Sequence, residues 1–342
     1  MAAMQPILPP MNLASISLTI LLTALSLTLW LGGPREPARS MSVMNDAFAH
    51  ANYAGLPVEK TFTARDGSAL AYRQYTPAEP LHGSVVLVHG AAATSQSMHI
   101  LAEALLAAGF HVYALDIRGH GKSGRKGRID YVGQLEHDMA DFLEAVNPPS
   151  PRTLTGYASG GGFALRVASG KDVGLFDHYV LLAPFIHQEA PTQRPDNGGW
   201  VNVGIPRFIA LHALNRIGIP IFNDLFVVRF TVEERHRALL TDRYDYNLAT
   251  NFRPRQDYLA DLRAIRAPTV VIAGEDDEAF VAREYPKVFA NSASVPAVLL
   301  LPKTDHAQLV LAPHAVNFTA RAITHLHLPA RAPAARTPNA KR

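Results

Sequence analysis

The stretch Arg152–Gly162, RTLTGYASGGG, decides the fold of this 342-residue chain. An apolar run leads into a glycine-flanked turn, and a helical pattern follows at once. Gly156 and Gly160 lie two residues before and two residues after Ala158. A strand and a helix that meet this closely need small residues at those two places. Strand, sharp turn and helix form the setting that presents a catalytic nucleophile, yet alanine has no nucleophilic atom.

Similar apolar runs recur on both sides of this stretch and alternate with helical patterns. A hairpin around Asp66-Gly67 comes first. Near-continuous apolar strands indicate a parallel sheet that is covered on both faces by helices. We therefore predict an α/β fold with an eight-stranded, mostly parallel sheet. The predicted strands are 59–65, 69–75, 84–89, 111–116, 152–156, 178–184, 269–274 and 297–302, and the predicted helices are 96–109, 133–146, 160–170, 278–290 and 313–326.

The alternation stops over residues 185–256, which are predicted to form an inserted helical cap. The core is then split into residues 58–184 and 257–328. Within the cap, residues 200–230 carry only four charged side chains. Such an apolar insertion over the carboxyl ends of the strands is typical of a hydrophobic pocket. The alternative is that these residues form only the small core of the cap.

An uncharged segment precedes the fold. Residues 13–31 contain eight leucines and no charge, and 19 residues of helix span about 28 Å, close to the bilayer core. We predict a short N-terminal segment over 1–11, a transmembrane anchor over 12–32 and a linker over 33–57. A cleaved signal peptide and a buried core helix are the alternatives.

The charges that flank the span bear on its orientation. Arg35 and Arg39 follow it and nothing basic precedes it, so the positive-inside rule favours a cytoplasmic body. The expected location is a bacterial inner membrane.

The net charge of +3 belongs to one end of the chain. Residues 329–342 hold four Lys/Arg and no acid, so the rest carries 28 basic against 29 acidic residues. We predict that this tail is disordered and that the near-neutral body does not bind nucleic acid. The absence of cysteine excludes thiolate catalysis and cysteine-bound metals.

Three further strand ends carry candidate groups, because ligands of such sheets bind at the carboxyl ends of the strands. His89, Gly90 and Ala91 follow one strand, and small residues there allow a backbone amide to face an oxyanion. Asp277 and His306 follow the last two strands. The order of elbow, acid and histidine is that of an α/β-hydrolase triad.

On these residues the chain resembles the α/β-hydrolase family, and within it the monoacylglycerol lipase and lysophospholipase-like branch. The resemblance covers about residues 58–328. It is carried by Val88-His89-Gly90, Asp116-x-Arg118-Gly119-His120-Gly121-x-Ser123, the elbow at Gly156–Gly162, Gly274-x-x-Asp277 and His306.

The resemblance implies an ester hydrolase that acts by acyl transfer through a serine. It places the general base at His306 and its orienting acid at Asp277, with Asp276 as the alternative acid. It places the oxyanion donors at the amides of Ala91 and Ser159. His89, Gly90 and Tyr157 would contact the substrate, a hydrophobic ester. It implies no cofactor and no metal.

The chain departs from the family at the nucleophile, because G-x-S-x-G is Gly156-Tyr157-Ala158-Ser159-Gly160 here. Three explanations stay open. Ala158 replaces a natural serine, Ser159 attacks from a shifted elbow, or the protein is a natural member that binds a ligand or partner without hydrolysis. The shifted elbow is disfavoured, because Tyr157 would then stand two residues before the nucleophile, where a bulky side chain is poorly tolerated.

Overall fold

The structure is a computed structural model that describes residues 13–37, 42–171, 174–195, 199–290, 292–295 and 298–328. Its centre is an eight-stranded sheet in the order β1-β2-β4-β3-β5-β6-β10-β11. The strands are β1 Lys60–Thr63, β2 Ala69–Tyr75, β3 Ser84–Val88, β4 His111–Leu115, β5 Arg152–Tyr157, β6 His178–Leu182, β7 Val201–Val203, β8 Phe226–Phe230, β9 Arg243–Asp245, β10 Thr269–Gly274 and β11 Val298–Leu301.

The sheet is parallel from β4 to β11, and β2 pairs antiparallel with both β1 and β4. The predicted mostly parallel sheet opened by a hairpin is therefore confirmed. The helices are α1 Leu13–Leu31, α2 Ser42–Ala49, α3 His99–Ala107, α4 Gln134–Val146, α5 Ser159–Ala168, α6 Ile205–Arg216, α7 Tyr246–Asn251, α8 Tyr258–Ala264, α9 Tyr285–Phe289, α10 Gln308–Leu311 and α11 Pro313–His327.

The hydrophobic core lies between the sheet and its helices. All five residues of β3 are buried, and the apolar run that follows Ser84 is typical of a strand that is covered on both faces. Helix α5 packs against β5 and β6, while α3 packs against β4 and α11. This arrangement brings the carboxyl ends of β3, β5, β10 and β11 to one edge, where the candidate residues lie.

The insertion at residues 185–256 is only partly helical, so the predicted helical cap needs correction. Besides α6 and α7 it contains a three-stranded antiparallel sheet in the order β7-β8-β9. Two of these strands have three residues each. A strand of three residues is too short to show an alternation of apolar and polar side chains, so no strand could be predicted there.

The segment at residues 33–57 is not only a linker, which corrects a second expectation. It contains α2, Ser42–Ala49. The three prolines of the segment, Pro34, Pro37 and Pro57, all lie outside this range, so nothing interrupts the amide donors that a helix needs. The predicted segments 1–11 and 329–342 lie outside the described residues.

The predicted span corresponds to α1, Leu13–Leu31. Among the described residues it is the one helix long and apolar enough to cross a membrane, with a mean hydropathy of 1.9 and 6% of its most apolar window buried. Its last turn packs on α6 of the cap, where Leu29 is buried.

Candidate active site

The turn between β5 and α5 holds Ala158 in a conformation that alanine rarely adopts. Its φ is 52° and its ψ is −114°. Such backbone strain persists only where the surroundings enforce it. The Ala158 amide donates to the carbonyl of Leu182, and its own carbonyl accepts from Phe185 and Gly162. Strained turns of this kind lift one side chain above the sheet.

Two glycines make this turn possible, as the sequence predicts. A Cβ on Gly156 would lie 2.1 Å from the carbonyl oxygen of Gly160. A Cβ on Gly160 would lie 2.4 Å from the carbonyl oxygen of His89. Neither contact can be relieved by a side-chain rotation, because both partners are backbone atoms. The helix can therefore begin directly beneath the strand end only if both positions lack a side chain.

His306 and Asp277 form a buried pair next to this turn. His306 Nδ1 lies 2.7 Å from Asp277 Oδ2. The other carboxylate oxygen accepts the amides of Ala279 and Phe280, each at 2.8 Å. This fixes the acid and directs the Nδ1 proton towards it, which leaves Nε2 as the basic nitrogen. His306 Nε2 has no hydrogen-bond partner within the described ranges.

The surroundings of His306 are acidic. Burial lowers its pKa, but the carboxylates of Asp277, Glu278 and Asp305 outweigh burial and hold the pKa above its ordinary value. Glu278 also accepts the amide of His306 at 3.0 Å. Asp276 lies exposed on the same loop, so the acid beside the histidine is Asp277, as the resemblance implied.

Tyr157 supports the histidine from below. The two rings are 4.8 Å apart, and the phenol donates to the backbone carbonyl of His306 at 3.0 Å. Tyr157 is 3% exposed, so its main contact is with the histidine rather than with open solvent. Tyr157 thus lines the cavity and packs against His306, a contact that the sequence did not predict.

The amides of Ala91 and Ser159, the expected oxyanion donors, have no acceptor in the part of the protein that the structure describes. Both residues line the cavity beside Ala158. Ser159 is the first residue of α5, so its amide also lies at the positive end of the helix dipole.

His89 does not contact the cavity, which corrects its expected substrate contact. Its side chain is fully buried. Nδ1 donates to the carbonyl of Gly90 at 2.7 Å, and Nε2 accepts the amide of Ile117 at 3.2 Å. The histidine thus fixes the turn after β3 from behind. Gly90 itself lines the cavity.

The loop after β3 is also held by the cap, a contact that the sequence did not predict. The amide of Ala92 donates to the phenol oxygen of Tyr244 at 2.7 Å, and that phenol contacts His120 Nε2 at 2.7 Å. The carbonyl of Ala92 accepts the amide of Thr241. Ala92 has a φ of 61°, so these bonds stabilise a strained residue next to Ala91.

A cavity of about 870 Å³ extends from the elbow into the cap. Ala158, Ser159 and His306 lie at its floor. Its walls are largely aromatic and aliphatic. Side chains from the segment around α2 form part of the wall, which the sequence did not predict. The wall residues include Phe48, Tyr53, Phe185, Trp200, Phe208, Ile209, Val228, Phe230, Leu239 and Phe280. A cavity of this size and lining suits an acyl chain.

Comparisons with known proteins agree with this architecture. The family described as serine aminopeptidase, S33 (Hydrolase_4) matches residues 79–307. A monoacylglycerol lipase of Mycolicibacterium smegmatis is 33% identical over 135 residues, 38% of this chain. That match spans about half of the lipase, 47% of its length.

Two solved structures share the fold at low identity. A soluble variant of the monoglyceride lipase of Saccharomyces cerevisiae has a TM-score of 0.59 at 18% identity and covers 80% of this chain and 95% of its own. The monoacylglycerol lipase of Paleococcus ferrophilus has a TM-score of 0.54 at 20% identity and covers 75% of this chain and 97% of its own. Since the matched family spans more than half of the sequence, the chain belongs to the serine aminopeptidase S33 family of α/β hydrolases.

Proposed function

We propose that the cavity binds a hydrophobic acyl ester and that position 158 is the nucleophile position of a serine ester hydrolase. The observation that carries the proposal is the strained backbone of Ala158. Alanine gains nothing from a φ of 52°, whereas a serine there would present its hydroxyl at the floor of the cavity. The buried pair of His306 and Asp277 supports the same assignment, because a base oriented by an acid activates such a hydroxyl.

With serine at position 158 the residues would divide the reaction between them. His306 Nε2 takes the hydroxyl proton as the oxygen attacks the ester carbonyl, and later returns it to the leaving alcohol. Asp277 stabilises the imidazolium that forms. The amides of Ala91 and Ser159 bind the tetrahedral oxyanion. Water then attacks the acyl group and restores the serine.

Substituting Ala158→Ser tests the proposal. We expect the full chain to react with a fluorophosphonate probe and to hydrolyse acyl glycerols only when it carries this serine. The gain in kcat should be on the order of 10⁴ or more, since loss of a triad nucleophile costs about 10⁶. Asp277→Asn added to this variant should remove most of the gain, because the histidine loses its orientation.

Two other outcomes would contradict the assignment. Labelling of the unsubstituted chain that disappears with Ser159→Ala would make Ser159 the nucleophile. The second candidate function is ligand binding without hydrolysis, which the alanine itself favours. Absence of labelling and turnover in both the Ala158 and the Ala158→Ser chain, with the ligand still bound, would establish that function instead.

The cap and α1 together support a lipid-like substrate. The cap of residues 185–256 supplies most of the apolar wall, and α1 packs directly on its helix α6. If α1 anchors the chain in a membrane, the cavity lies near a source of acyl esters. An Ala158→Ser chain that cleaved only short water-soluble esters would contradict this part of the proposal.

A further inference from the structure

The cavity contains a cation that the reaction described above does not use. Arg253 follows α7 and is the one lysine or arginine among the described residues that line the cavity. It is partly buried. Its guanidinium lies over the ring of Phe208, 5.3 Å from the centroid. An arginine on an apolar wall is costly unless something compensates its charge.

No acid within the described ranges pairs with Arg253. It donates to two neutral amide oxygens, at 2.9 Å to Gln188 and at 3.5 Å to Gln256. Its Nε is buried and has no partner among the described residues. The nearby arginines differ: Arg166 pairs with Glu136 at 2.5 Å, and Arg255 pairs with Asp261 at 2.8 Å.

The charge of Arg253 persists at neutral pH. Burial lowers its pKa to about 10, and the positive charge of Arg166 acts in the same direction. Glu189 lines the same cavity, but its side chain is 78% exposed. Water therefore screens that carboxylate. The guanidinium keeps unused donors in a partly dry setting, where a charge-assisted bond is strong.

Apart from the ring of Phe208, the contacts of Arg253 are polar. Gln188, Glu189 and Gln256 are all exposed, whereas most of the cavity wall is aromatic and aliphatic. The cavity wall is thus amphipathic, since it combines a large apolar surface with one guanidinium and its neighbouring amides. A ligand that matches it has one acyl chain and a head with acceptor oxygens.

We propose that Arg253 binds an oxyanion, a phosphate or a carboxylate, on the head of a single-chain amphiphile whose acyl chain fills the apolar part of the cavity. The proposal rests on the proposed function and adds an anionic head to the ligand that its cavity binds, either as part of the substrate or on the released product. The phosphate would belong to the head group of an ester substrate, and the carboxylate to a released fatty acid. A planar guanidinium suits both, because it donates two parallel hydrogen bonds.

Binding to the unsubstituted chain tests this without turnover. The full chain in phosphatidylcholine nanodiscs is titrated with octyl phosphate, octanoate and 1-octanoylglycerol, with empty nanodiscs as the baseline. We expect at least one anion to bind tenfold or more tighter than the neutral glycerol ester. Arg253→Gln should abolish that preference and change the affinity for the glycerol ester less than twofold. Arg253→Lys should keep part of it.

Arg216→Gln is the matched control, because Arg216 is an exposed arginine of the cap that does not line the cavity. It should change no affinity. Each variant is checked for an unchanged melting temperature. A phosphate preference assigns the site to a substrate head, and a carboxylate preference assigns it to a product.

Equal affinity for charged and neutral ligands, or an equal loss of all three with Arg253→Gln in a folded chain, would overturn the anion site. Those results would leave the proposed ester hydrolysis intact if Ala158→Ser still turns over neutral esters. Absence of binding by every amphiphile would also overturn the anion site, while turnover by the Ala158→Ser chain would still decide the proposed ester hydrolysis.

Discussion

At the scale of single residues, the site depends on backbone groups held in strained conformations. Ala92 has a left-handed φ of 61° next to the proposed oxyanion donor Ala91. Both of its backbone polar groups are bonded to the cap, through Tyr244 and Thr241. His120 Nδ1 is 3.2 Å from the carbonyl of Ile117, so its Nε2 accepts the proton of the Tyr244 phenol. The phenol can then accept the Ala92 amide.

We expect Tyr244→Phe, made in the Ala158→Ser chain, to lower kcat about tenfold and leave KM nearly unchanged. The ring still fills its place, but Ala92 loses an acceptor and the neighbouring amide loses its alignment with the oxyanion. Steady-state kinetics on a glycerol ester measure both constants. Tyr246→Phe is the control, because its phenol contacts His212 instead. A rise in KM alone would assign Tyr244 to substrate binding.

At the scale of elements, Asp245 begins α7 by accepting the amide of Leu248 at 2.7 Å. Burial raises its pKa to about 7, against the weaker opposite effect of its hydrogen bonds and of Arg128. The folded chain therefore holds this proton more tightly than the unfolded chain does. The resulting stability is fully present below about pH 4 and is lost as the pH rises through 7.

We expect Asp245→Asn to increase the free energy of unfolding more at pH 8 than at pH 4, and the difference between the two effects should be roughly 2 to 4 kcal/mol. Asparagine keeps the capping acceptor and carries no charge. Urea unfolding at both pH values measures the difference. Asp257→Asn is the matched control, since Asp257 caps α8 from an exposed position. A gain at pH 8 no larger than at pH 4 would show that Asp245 does not titrate as described.

Contacts between elements decide which parts of the fold and of the site can be predicted from the sequence. Strand β3 is a buried run of four apolar residues after Ser84, and Asp277 lies three residues after the end of β10, so both could be located from local pattern alone. Tyr244 and Arg253 could not. Tyr244 contacts Ala92 across 152 residues of chain, and Arg253 contacts Gln188 across 65. Such contacts depend on how the cap folds over the core, which no local pattern encodes.

At the scale of the whole molecule, α1 is joined to the cap rather than tethered loosely beside it. The guanidinium of Arg207 donates to the carbonyls of Leu29 and Trp30 at the end of α1, at 2.6 and 2.9 Å. It also donates to Phe226 of β8 at 2.6 Å. A cation at the free carbonyls of a helix end is favourable. The cap that covers the cavity therefore lies next to α1, and it would lie close to a membrane if α1 were inserted in one.

Leu21→Lys tests whether α1 lies in a membrane. Leu21 is 64% exposed near the middle of the helix, so a lysine there should not disturb the packing of the fold. In a bilayer the same lysine costs about 2.5 to 3.5 kcal/mol. We expect the unsubstituted chain to resist carbonate extraction from membranes and the variant to be released or lost. Leu81→Lys is the control, because Leu81 is a 72% exposed leucine outside α1. This variant should stay in the membrane. If both variants stay in the membrane, α1 is not the anchor. An intact-mass measurement that shows a chain starting after Leu31 would instead identify a cleaved signal peptide.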